Sequence, residues 1–160
     1  MDNNYLYAVA NIRANELSLL SRADIDALID APDYKTALTL LDGKGYDTSF
    51  GSDYSAMLDG ETEKTWSLIK SVAPSAEALD IFIVKNDFQN LKAVLKSEKT
   101  GDDAEKYLVS PSVIPKELLL KAVKERDFAS LPDFISGAAE KCLEVITKTE
   151  NGQLCDIAAD

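Results

Sequence analysis

Apolar residues recur at three- and four-residue steps along nearly the whole chain. That spacing puts them on one side of an α-helix and on both sides of a strand. Tyr5, Ala8, Val9, Ile12, Leu19 and Leu20 make the first stripe. Ser21-Arg22-Ala23-Asp24 then reads as a capping box opening a short helix that carries Ile25, Leu28 and Ile29. Pro32 stops it, because proline has no amide hydrogen to donate. A second short helix is predicted from about Asp33 to Leu41, ending at Gly43-Lys44-Gly45. Thr65, Trp66, Ile69, Val72 and Ala73 form the next stripe, with Trp66 at a core position.

Beyond Pro74-Ser75, the residues Leu79, Phe82, Ile83, Phe88, Leu91, Val94 and Leu95 line one long predicted helix closed by Gly101. The run Ile81–Val84 alone could be a strand, but its continuation at helical spacing decides for helix. Ser110-Pro111 and Pro115 mark a loop, Leu118 to Val123 another helix, and Ile135 to Ile146 the last clear stripe. No run of alternating residues bounded by hairpin signals appears. The chain is predicted to be all-α, with Leu91, Val94 and Leu95 in the core.

Three segments share an aspartate–aromatic pair after an apolar residue and before apolar positions at helical spacing: Asp33-Tyr34, Asp87-Phe88 and Asp127-Phe128. A duplication of helical units with the aspartate as a cap would produce this, and so would any series of amphipathic helices. Pro132 interrupts the third copy and delays its helix.

Composition narrows the function. The 160 residues hold 17 basic and 28 acidic side chains, a formal charge of −11, and no histidine. Lacking histidine, the chain cannot carry Ser–His–Asp or Cys–His catalysis or a His-ligated metal. The negative excess disfavours nucleic acid and bare anionic lipid as direct partners and suits basic protein surfaces. Cys142 and Cys155 form no CxxC and are too few for a structural zinc site; Cys142 lies on an apolar face and is expected to pack as a small hydrophobe in a reducing compartment. The N-terminal residues show neither the basic nor the apolar region of a signal peptide, and no aliphatic run approaches a membrane span, so membrane contact is expected only through a partner.

The remaining candidates for chemistry are weak. Gly43-Lys44-Gly45 is too short for a phosphate loop and fits a helix end followed by a turn. Asp24, Asp26 and Asp30 read as a solvated helix face with no basic partner close in sequence. Asp102, Asp103 and Glu105 lack the glycine and terminal glutamate of a calcium loop. No catalytic, cofactor-binding or metal-binding residue is assigned, and the chain is expected not to be an enzyme.

The most specific stretch is Asn86-Asp87-Phe88-Gln89-Asn90-Leu91-Lys92-Ala93-Val94-Leu95-Lys96. Its Asp-x-x-Asn-Leu-Lys on a helix resembles the signature of the C subunit of V-type and archaeal A-type ATPases, the counterpart of the eukaryotic d subunit. Tyr7-Ala8-x-Ala10-x-Ile12-Arg13-x-x-Glu16-x-x-Leu19-Leu20 is similar to that family's opening helix, and Ile114-Pro115 and Asp127-Phe128 to later features. Family chains are about twice this length and build three helical lobes into a funnel, so the sequence resembles an N-terminal half. On that resemblance residues 1–108 make a first lobe and 109–160 the start of a second.

The resemblance further implies a non-catalytic central-stalk subunit at the cytoplasmic face of the membrane. It would receive the central shaft, cap the membrane rotor ring and transmit torque during ATP-coupled ion transport, binding no nucleotide itself. A generic acidic helical adaptor is the alternative. The family-motif residues are Asp87, Asn90, Leu91 and Lys92. Leu91 should be buried; Asp87, Asn90 and Lys92 either join elements within the lobe or face a partner, the internal role being favoured because side-chain networks specify a unique packing. The final apolar residues Leu154, Ile157 and Ala158 begin a helix too short to be stable alone, and part of the Ile135–Ile146 face is expected to lack a cover.

Overall fold

The computed structural model describes residues 3–51, 53–75 and 77–160. Among them are eight α-helices and no strand. The chain divides into two compact units, Met1–Glu77 and Ala78–Asp160. Within the second unit, side chains of one long helix hold the loop 109–114.

In the first unit, α1 (Asn3–Glu16) packs on α4 (Tyr54–Val72), and α2 (Arg22–Ile29) on α3 (Tyr34–Asp42). The local signals act as expected at several points. Ser21 and Asp24 form a reciprocal capping box on α2, and the Asp33 carboxylate accepts the Thr36 amide at the start of α3. Burial is sparse, however. Ala8, Met57 and Val72 are buried, Trp66 is half-buried, and Tyr5, Val9 and Leu19 of the first predicted stripe are exposed.

The second unit is built around α5 (Asp80–Thr100). Helices α6 (Lys116–Glu125), α7 (Asp133–Thr149) and α8 (Gly152–Ala159) all pack on it. Gly101 ends α5 in the left-handed conformation, at φ 78°, which glycine adopts without a Cβ clash. Leu91, Val94 and Leu95 join Ile114, Leu119 and Ile135 in one continuous core. Phe82, placed on the same stripe by spacing, is exposed, while Ile83 beside it is buried.

The uncovered face expected on α7 is absent. Ile135, Ala139, Cys142 and Ile146 are all buried, because α8 folds back on α7 and inserts Cys155 and Ala159. The buried face of α8 is thus one residue out of phase with the predicted Leu154, Ile157 and Ala158; Leu154 and Ile157 point to solvent. Both cysteines are free. The Cys142 thiol donates to the Cys155 carbonyl at 3.6 Å, and burial pushes its pKa up to about 12.

The three aspartate–aromatic pairs occupy three different settings. Asp33 caps a helix, Asp87 lies inside α5, and Asp127 precedes a single 3₁₀ turn with no capping bond from its side chain. Pro132 does delay the third helix, which starts at Asp133.

Candidate functional site

Helical geometry sets residues i, i+1 and i+4 on adjoining parts of one face. On α5 these are Asn86, Asp87 and Asn90, and all three meet the loop 109–114. The Asp87 carboxylate accepts two backbone amides, Val113 N–H at 3.1 Å through Oδ2 and Ile114 N–H at 2.8 Å through Oδ1. The Asn90 side chain closes a two-way bridge with Val109: its amide donates to the carbonyl at 3.1 Å, and its oxygen accepts the Val109 N–H at 2.8 Å. Asn86 donates to the Pro111 carbonyl at 2.7 Å. Five hydrogen bonds from three side chains satisfy a loop that no regular element pairs.

Asp87 is fully buried. Burial raises its pKa, the Ile114 and Val113 amides oppose that shift, and the Asp80 charge adds to it. A buried carboxylate with no cation survives only because donors point at both its oxygens. Among the described residues no buried side-chain nitrogen or oxygen is left without a partner. The Asp87 oxygens and the Asn90 amide are thus all engaged with the backbone of the loop.

The other motif residues part company. Leu91 is buried beneath the cluster, in the core. Lys92 lies on another side of α5 and pairs with Asp160 at 2.7 Å. It heads a row of lysines that the motif does not include: Lys96 pairs with Asp156, and Lys99 with Glu150 at 2.7 Å. Their steps of four and three residues were a readable signal for one helix face, as was the position of Asn86 next to Asp87. Among the described residues no group of three Cys, Asp or Glu side chains is arranged to hold a metal.

Elsewhere the structure supplies a partner that sequence proximity did not. Lys44 of the Gly-Lys-Gly turn pairs with Asp24 at 2.8 Å. The Lys44 ammonium, with the Ser21 hydroxyl and amide, holds the Asp24 carboxyl down at about 2.

The fold thus defines a class of all-helical protein in which a motif carboxylate and amides of one long helix bind the loop that follows it. Comparison with known proteins narrows this class. Residues 8–160 match the family described as ATP synthase (C/AC39) subunit, and the chain belongs to that family. It is similar to the C subunit of the V-type sodium ATPase of Enterococcus hirae, 27% identical over 141 residues, which cover 83% of this chain and 43% of that relative. The chain thus spans less than half the length of the curated relative it matches. No solved structure matches it. Among the described residues no helix is long and apolar enough to cross a membrane.

Proposed function

We propose that this chain is a non-catalytic central-stalk component of a rotary V/A-type ATPase. It sits at the cytoplasmic face of the membrane, joins the central shaft to the membrane rotor ring, and passes torque between ATP chemistry and ion movement. The family match across residues 8–160 carries this reading. Two features support it. A close-packed helical core transmits strain instead of absorbing it, which suits a part under torque. The polar atoms of Asp87 and Asn90 are spent on the loop 109–114, so these motif residues serve internal rigidity in place of chemistry at a surface.

The test is co-purification. The tagged chain, expressed alongside the other subunits of its ATPase, is expected to carry shaft and rotor-ring subunits through purification from detergent-solubilised membranes. Recovery of neither would defeat the proposal. Calorimetry with Mg–ATP is expected to give no specific heat, and a micromolar site would contradict the non-catalytic role.

A further inference from the structure

The turn between α7 and α8 holds Asn151-Gly152, the one asparagine of the sequence that is followed by glycine. Asn151 is exposed and caps α8. Its Oδ1 accepts the Gln153 N–H at 2.9 Å and the Leu154 N–H at 3.4 Å. Reaching those two amides carries the side-chain amide carbon back across the Gly152 nitrogen that lies between. The same two N–H groups stand where negative charge gathers when a nucleophile adds to that carbon. Gly152 N–H is the first amide of the helix and donates no hydrogen bond among the described residues. Glycine also brings no side chain to obstruct the approach.

Two aspartate–glycine pairs, Asp42-Gly43 and Asp59-Gly60, contain the atoms for the same ring closure. Their glycine nitrogens are occupied. Gly43 N–H donates to the Thr39 carbonyl at 3.1 Å, and Gly60 lies inside α4, where helical bonding engages its N–H.

We propose that Asn151 is a site of spontaneous deamidation, with the Gly152 nitrogen as the internal nucleophile. A bond forms from Gly152 N to Asn151 Cγ, and the bond from Cγ to Nδ2 breaks. Nδ2 leaves as ammonia, taking the Gly152 amide hydrogen, and a five-membered succinimide remains. One water then opens the ring, at one carbonyl to aspartate and at the other to isoaspartate. The balance is one water in and one ammonia out, with no change of oxidation state. The two products act on α8 in opposite ways. Aspartate keeps the capping bonds and places a full negative charge at the helix N-terminus, where it is favourable. Isoaspartate routes the main chain through Cβ, adding a methylene to the backbone and removing the cap. That change pulls on a helix whose Cys155 is packed on α7 and whose Gly152 lies against the Lys96 side chain. The site does not depend on the rotary role.

The test is to age the folded chain in warm, mildly alkaline buffer and map deamidation and isoaspartate by proteolysis and mass spectrometry. Conversion is expected at Asn151 ahead of the exposed Asn11 and Asn15, with no isoaspartate at positions 42 or 59. Gly152→Ala should slow it by at least about tenfold; an added Cβ there meets only the flexible Lys96 side chain, at 3.4 Å, so the variant should fold. Asn151→Asp, the aspartate product, should melt about 1–4 °C above the parent. The isoaspartate fraction should melt lower, with Cys155 alkylated several-fold faster by iodoacetamide. Conversion at Asn151 no faster than at Asn11 and Asn15, or unchanged by Gly152→Ala, would overturn the site. Isoaspartate appearing at 42, 59 and 151 at similar rates would overturn it as well, by assigning the reaction to the unfolded chain.

Discussion

Asp87 shows how one buried atom pair can matter more than a surface full of charge. Its two oxygens take the Val113 and Ile114 amides, and no cation assists. Asparagine has nearly the same shape but one acceptor, so Asp87→Asn turns an N–H group toward one of those amides. Leaving a buried donor unpaired costs about 1–3 kcal/mol, and urea denaturation should show a loss of that size. The pH dependence has a definite sign. Because the folded pKa is raised, the contribution of Asp87 is fully present below the ordinary carboxylate range and falls as pH rises through the raised value. The asparagine variant has no such term, so its deficit should shrink as pH rises; a deficit that widens would contradict the assignment. Asp24 runs the other way. Its carboxyl is held down at about 2 by Lys44 and Ser21, so its contribution is present above the ordinary carboxylate value and is lost as pH falls toward 2. NMR titration should find that low midpoint, and Lys44→Met should bring it back toward about 3.9. An unchanged midpoint in the variant would show that the ion pair is not the cause.

At the scale of elements, the helical period placed α5 and most of its buried stripe, and the caps placed α2 and α3. The period could not tell which flank of α8 would be covered. Leu154 and Ile157 are the more apolar residues, but Cys155 and Ala159 are the smaller ones, and a hairpin in which α8 lies close to both α7 and α5 admits small side chains at the seam. Close approach won over side-chain hydrophobicity. Gly137 offers a test of α7 in isolation from packing. It is exposed inside the helix, and a Cβ built there meets nothing within 4 Å. Gly137→Ala should therefore stabilise the protein by about 0.5–1 kcal/mol, through the lower backbone entropy of alanine in the unfolded chain. A destabilised variant in thermal or urea melts would mean that α7 is not a regular helix at this point.

Across the whole molecule the two units differ in kind. The large core cluster lies entirely in the second, while the first buries few apolar side chains and leaves Tyr5, Leu6, Tyr7 and Leu17 exposed. Local opening follows the amount of buried apolar contact. Amide hydrogen exchange should accordingly be slowest in α5 and α7 and faster throughout α1 to α4. Equal protection in both units would show that the first is held by something other than its own core.

The sequence by itself determined the helix class, the positions of the main caps and stops, and the family, because these rest on spacing and on residues within a few positions of one another. Leu91 could be assigned to the core because a helix repeats its face every three or four residues. The partners of Asp87 and Asn90 could not be read in the same way. They are backbone groups 27 and 19 residues away, which carry no side-chain identity. Lys44 and Asp24 likewise meet only because a turn brings them together. Tertiary structure alone decided these pairings, and with them the burial of the Asp87 carboxylate and the phase of α8, since each depends on how closely two distant helices or a helix and a loop approach.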